Sequence, residues 1–301
     1  MRMSRDDKAS FCRLAKYAPE AHSAAEIIGP DPMSKHLVPI FCAIAAITLY
    51  VFCLIMAYSF QRHLLYWPSQ GHSQTAPGYQ RLTTTTEDGL SLVGWFSPPA
   101  PKFSTLLFFH GNAESAILPA RLDKIANYKR LGYGIYIASY RGWDGNPGHP
   151  TEQGLYMDAR AAIIALAKLE IAPQNLILNG ESLGTGVAVQ MATEFPVEAV
   201  ILENPYTSIA ATAQYHYKIL PAYWLVKDRY DSLAKISHIS APMLLLNAQN
   251  DTTVPPAMGQ ALAMKNPTGV KTVDVVGAKH TNIYEYGAFA AIEVFLKSLK
   301  L

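Results

Sequence analysis

Cysteine is almost missing from this chain. Its 301 residues include three, Cys12, Cys42 and Cys53. Everything after residue 53 must therefore fold without a disulfide and without a thiolate-held metal. Neither C-x-x-C nor H-E-x-x-H occurs, so no metal site and no cofactor are expected. Long basic runs are also absent, and the formal net charge is only +2. That balance excludes the electrostatic footprint of a nucleic-acid-binding protein.

Charge disappears altogether between residues 37 and 60, a stretch carrying Ile40, Phe41, Ile44, Ile47, Leu49, Val51, Phe52, Leu54, Ile55 and Met56. An apolar segment of this length can cross a bilayer as a helix. Lys35-His36 and Arg62-His63 flank it, and Tyr58, Tyr66 and Trp67 mark its far end like an interfacial aromatic belt. A buried core helix seldom runs so long without a polar face, and no small-x-small cleavage site follows, so an uncleaved anchor is expected rather than a signal peptide. The expected organisation is a disordered tail over residues 1–34, a transmembrane anchor over 35–61, a linker over 62–79 and one α/β domain over 80–301. Arg2, Arg5, Lys8, Arg13, Lys16 and Lys35 favour a cytoplasmic N-terminus, which places the domain on the non-cytoplasmic side. Translation from Met33 would remove most of that bias.

Half of the residues are hydrophobic, ample for one large core. Residues 81–96 alternate around Glu87-Asp88-Gly89, which predicts a hairpin. Short continuous apolar runs then recur at 105–109, 134–138, 176–178, 199–202, 243–246 and 272–276, as expected of strands covered on both faces. Helical patterns separate them at 115–131, 152–169, 183–195, 256–265 and 282–299. The pattern is that of a doubly wound, mostly parallel sheet. Between Pro205 and Ile239 there is helical pattern without a strand, with Tyr206, Tyr215, Tyr217, Tyr223, Trp224 and Tyr230. This segment, about 205–239, reads as a small helical cap lining a cleft above the strand ends, or as an ordinary helix pair with buried aromatics.

The chemistry centres on Gly180-Glu181-Ser182-Leu183-Gly184. G-x-S-x-G between an apolar strand and a helix is the setting of a nucleophile elbow, whose sharp turn lifts the serine hydroxyl clear of the backbone. A serine needs a base, and the base needs a carboxylate to fix its tautomer. Where the serine sits on a nucleophile elbow, the acid and then the histidine follow it in the chain. Asp251, just after run 243–246, and His280, just after run 272–276, meet that order. Glu203, after run 199–202, is the rival acid. His63, His72, His110, His149, His216 and His238 are expected to be structural or solvated. The developing oxyanion needs two N–H donors; the amides of Leu183 and Asn112, the latter in the loop after the first parallel strand, are the candidates.

Four motifs carry a resemblance: His110-Gly111-Asn112; Tyr140-Arg141-Gly142-Trp143 continuing through Gly148-His149-Pro150-Thr151-Glu152-Gln153-Gly154; the serine motif; and Asn250-Asp251-Thr252-Thr253-Val254-Pro255. Most of residues 80–300 resembles the α/β-hydrolase superfamily of serine hydrolases. The second motif is similar to that of the subgroup with one N-terminal membrane segment, which includes fungal bud-emergence proteins and animal membrane-associated abhydrolase-domain proteins. The chain departs from that pattern at Asp144-Gly145-Asn146-Pro147, where Gly and Ser are commoner, and at Asn247-Ala248, where His-Gly is. The resemblance implies a membrane-anchored esterase or thioesterase, acting through an acyl-enzyme on a small-molecule or acylated substrate. An amidase or peptidase with the same triad, or a non-catalytic binding protein on the same fold, are the alternatives.

Overall fold

The computed structural model describes residues 32–69, 75–266 and 269–299. The expected tail lies outside the described residues except for 32–34. The chain divides into two compact units, Met1–Cys53 and Leu54–Leu301.

Helix α1 (Pro32–Leu65) supplies the described residues of the first unit and the opening turns of the second. Its apolar stretch, Leu37–Leu65, is long and apolar enough to cross a membrane, and none of that stretch is buried. A helix satisfies its own backbone hydrogen bonds, which is what an apolar medium demands.

The second unit is built on one eight-stranded sheet. Its strands are β1 (Gln80–Thr85), β2 (Ser91–Ser97), β3 (Thr105–Phe109), β4 (Gly134–Ala138), β5 (Leu176–Glu181), β6 (Ala199–Glu203), β7 (Met243–Ala248) and β8 (Val270–Val275). They lie in the order β1-β2-β4-β3-β5-β6-β7-β8. The first two form the antiparallel hairpin and β2 runs antiparallel to β4; all later pairs are parallel. Strands β3, β4 and β6 are buried at every position, as continuous apolar runs demand.

Helices cover both faces. Leu155, Ile163 and Leu166 of α3 (Glu152–Ala167), Val187 and Met191 of α4 (Leu183–Glu194) and Leu262 of α8 (Pro256–Lys265) form one core with the sheet. Ile125 and Tyr128 of α2 (Pro119–Arg130), with Ile292, Phe295 and Leu296 of α9 (Ala288–Ser298), form the other. Each fully buried aliphatic in these layers stabilises the fold by about 1.5–3 kcal/mol. Three short helices lie between β6 and β7: α5 (Ile209–His216), α6 (Ala222–Leu225) and α7 (Ser232–Lys235).

Two helices start later than their patterns suggest. Residues 115–118 stay outside α2 because Ala113 and Glu114 take positive φ and Pro119 suits a first helical position. Pattern 282–299 splits into a 3₁₀ turn (Ile283–Tyr286) and α9, because Gly287 at φ 85° closes the first and opens the second. Residues 62–79 begin with the last turn of α1, and within them Tyr66 and Ala76 are buried.

Candidate active site

Strand β5 ends at Glu181 and helix α4 starts at Leu183. The single residue between them, Ser182, sits at φ 49° and ψ −114°. A non-glycine residue there is strained by about 1–3 kcal/mol, and its surroundings hold it in place. Its N–H donates to the Glu203 carbonyl at 2.9 Å. Its own carbonyl accepts from the Thr185 amide at 2.9 Å and the Thr185 hydroxyl at 2.6 Å. A Cβ on Gly180 would strike the Gly184 backbone, and one on Gly184 would strike the Phe109 carbonyl. Both glycines of the motif are thus required by close backbone approach.

Parallel strands bring their carboxyl ends to one rim, and the candidate residues meet there. His280 Nε2 lies 2.9 Å from Ser182 Oγ. His280 Nδ1 lies 2.6 Å from Asp251 Oδ2. Asp251 is buried, and its Oδ1 accepts the Thr253 and Val254 amides, both at 2.8 Å. An acceptor-only carboxylate fixes the proton on Nδ1, so Nε2 presents a lone pair to the serine hydroxyl.

Leu183 occupies the first position of α4, where the helix offers its amide no acceptor. Asn112 lies in the loop after β3, on the same rim. Its side chain acts like a peptide group: Nδ2 donates to the Leu65 carbonyl, while Oδ1 accepts the Trp67 amide at 3.0 Å. The loop carrying this amide is thereby fastened to residues 65–67. Asn112→Leu should remove both bonds, and thermal unfolding should show a loss of about 1–3 kcal/mol.

Glu203, the rival acid, is occupied elsewhere. Its Oε2 receives Lys124 at 2.8 Å, and its Oε1 receives Tyr284 Oη at 2.8 Å and Asn179 Nδ2 at 2.9 Å. Lys124 also bonds Glu181, whose other oxygen takes Arg121 at 3.0 Å. Burial pushes the Glu181 carboxyl up, but Lys124 and Arg121 outweigh it and hold it well below the usual carboxylate range. This network braces both strands that bear on Ser182: Glu181 precedes the serine, and Glu203 supplies the carbonyl that receives its amide.

His110 is fully buried against Tyr140 and Trp143, with Nδ1 2.7 Å from the Gly111 carbonyl. Burial pulls its pKa down to about 4, so it is a neutral packing residue at physiological pH. His216 Nε2 lies 2.8 Å from the Thr253 carbonyl. His63, His149 and His238 are exposed, and His72 lies outside the described residues. Arg141 joins Asp158 at 2.8 Å and Asp88 at 2.7 Å, tying α3 to the hairpin turn. The aromatics of the segment after β6 divide by burial. Tyr206 and Tyr230 are buried in the core, whereas Tyr215, Tyr217, Tyr223 and Trp224 are exposed.

Asn204 was not visible as a site residue. It follows β6 at φ 51°, a left-handed conformation that asparagine tolerates. Its Nδ2 donates to the His280 carbonyl at 2.7 Å, and its Oδ1 accepts the Ala248 amide at 2.8 Å. One side chain thus links the end of β7 to the histidine loop. Its position directly after a strand was the only sequence signal.

No protein-family model matches the chain. An uncharacterised protein of Mycobacterium tuberculosis (strain ATCC 25618 / H37Rv) is 34% identical over 236 residues, covering 76% of this chain and 83% of its own. The human alpha/beta hydrolase domain-containing protein 17B is 31% identical over 227 residues, covering 73% of this chain and 75% of its own. The Danio rerio lysophosphatidylserine lipase ABHD12 is 35% identical over 175 residues, 52% of this chain and 46% of its own. Among solved structures, the Pyrococcus furiosus esterase Pf2001 superposes with a TM-score of 0.63 at 20% identity, over 77% of this chain and 98% of that one. By descent as well as by fold, the chain belongs to the α/β-hydrolase family.

Proposed function

We propose that this chain is a membrane-anchored serine hydrolase that cleaves carboxylic esters or thioesters through an acyl-enzyme. The observation that carries the reading is the connected pair of contacts at His280, 2.9 Å to Ser182 Oγ and 2.6 Å to Asp251. A hydroxyl, an imidazole and a buried carboxylate in that sequence form the activated-nucleophile arrangement.

In the first step Ser182 Oγ bonds to the substrate carbonyl carbon while His280 Nε2 takes its proton. The carbonyl oxygen becomes an oxyanion, received by the amides of Leu183 and Asn112. Collapse expels the alkoxide or thiolate, which leaves with the proton from His280. Water, deprotonated by the same Nε2, then attacks the acyl carbon; the bond to Ser182 Oγ breaks, His280 returns the proton to Oγ, and the acid leaves. Asp251 keeps the imidazole in the working tautomer throughout. Anchoring is supported by the exposed apolar stretch of α1, and lipid-like substrates by the similarity to the Danio rerio lysophosphatidylserine lipase.

Three substrates of matched acyl group test the reaction class: a p-nitrophenyl ester, an alkyl thioester and an anilide. Turnover of the ester or thioester well above the anilide is expected; the reverse order makes the chain an amidase, and no turnover of any makes it a binding protein. Asp251→Asn should lower kcat on the ester about 10^3- to 10^4-fold. A variant within tenfold of the parent would move the acid elsewhere.

A further inference from the structure

We propose that residues 215–227, the exposed part of the segment between β6 and β7, form a membrane-binding surface that rests in the lipid headgroup layer. This rests on the reading of α1 as a bilayer-crossing helix.

The first observation is the surface itself. Tyr217 is 57% exposed, Ile219 85% and Trp224 81%, with Tyr215 and Tyr223 also partly in solvent. Single exposed apolar residues are ordinary, but a cluster of large ones marks an interaction site. Tyr223 and Trp224 stand edge to face with ring centroids 5.4 Å apart, so these two amphipathic rings share one surface. Aromatics of this kind favour the headgroup level of a bilayer.

The second observation is charge. No acidic residue lies between Glu203 and Asp228, while Lys218 and Lys227 flank Tyr223 and Trp224. A basic segment with exposed rings complements anionic phospholipid.

The third observation is attachment. The Gln61 side chain pairs with backbone on this segment, donating to the Leu225 carbonyl at 3.1 Å and accepting the Lys227 amide at 2.7 Å. Arg62 grips Asp228 with two bonds, 2.8 and 3.1 Å. Lys227 Nζ stands 3.9 Å over the Tyr58 ring, and Tyr66 Oη meets Tyr230 Oη at 2.9 Å. Phe60, Leu64 and Trp67 at this end of α1 are themselves exposed. Residues 225–230, directly after Trp224, are therefore fixed to the aromatic end of the apolar helix. The medium that surrounds Tyr58 and Trp67 reaches Trp224 as well. A free cap helix could avoid the bilayer; one clamped to the exit of a membrane helix cannot.

The test uses the full chain in phosphatidylcholine–phosphatidylglycerol vesicles containing phosphatidylcholine with a doxyl quencher near the headgroup. Of the tryptophans at 67, 95, 143 and 224, Trp95 and Trp143 are fully buried and contribute a constant background. Quenching is expected in the parent, reduced in both Trp224→Phe and Trp67→Phe, and lost in the double variant. Equal quenching in the parent and Trp224→Phe, with all of it lost in Trp67→Phe, leaves α1 in the bilayer and overturns the proposal. Absence of quenching in every form, with release of the chain by carbonate, overturns both this proposal and the reading of α1. An unquenched, blue-shifted Trp224 in a chain that cross-links to a second copy overturns it in favour of self-association.

Discussion

Ser182→Ala is expected to lower kcat/KM for an activated ester by at least about 10^3-fold, since residues that act as one catalytic unit lose nearly everything when one is removed. The fold should survive the change. Ser182 is half-buried, and its backbone is held by bonds from Glu203 and Thr185 that do not involve Oγ. The residual rate should come from the oxyanion donors and binding alone. The measurement is steady-state hydrolysis with circular dichroism as the control for folding. Activity near the parent level in a folded variant would contradict the assignment.

The second large effect concerns stability rather than rate. Lys124→Met should destabilise the protein by about 3 kcal/mol, the lower end for a broken buried pair, because the Glu181 side chain keeps 23% of its exposure. At this chain size, that is a fall in Tm of roughly 6–12 °C. The substitution leaves Glu203, 2% exposed, without its cation. The pH dependence follows with a definite sign. In the parent, the folded Glu181 carboxyl titrates below its unfolded value of about 4.3, so its contribution is complete above that pH and fades as pH falls through the folded value. In Lys124→Met the Glu181 carboxyl loses a cation that held it down. Its folded value rises, and the gap between variant and parent should narrow in acid. Thermal melts of both proteins between pH 7 and pH 4 check this. A gap that is small at neutral pH, or that widens in acid, would show that the network does not brace the elbow. Glu203→Gln combined with Lys124→Met should cost less than the two separate losses added, because the partners share one interaction.

The sheet was largely legible because its central strands are buried. A core strand must be apolar throughout, so the runs at 105–109 and 134–138 give β3 and β4 at both ends. Helix boundaries were less legible, since backbone φ decided them. Nothing in the pattern of residues 282–299 distinguishes Gly287 as the hinge between a 3₁₀ turn and α9. The serine, aspartate and histidine stood out because each follows a strand, and parallel strands deliver such residues to one rim. Lys124 did not, because on a helix a lysine reads as solvated. Its partner Glu203 lies 79 residues away, and only the pairing of β5 with β6 brings Glu181 and Glu203 side by side. Which aromatics of segment 205–239 are buried was not legible for a related reason. Composition does not separate a tyrosine that fills the core, such as Tyr206, from one that faces outward, such as Tyr217.

The central claim is that Ser182 Oγ becomes covalently bonded to the acyl group. Labelling the full chain with a fluorophosphonate, then locating the adduct by peptide mass spectrometry, tests it most directly. The account predicts a single phosphonyl adduct on Ser182, abolished in Ser182→Ala and strongly slowed in His280→Gln. An adduct on another residue, or no adduct on a chain that hydrolyses the ester, would contradict it.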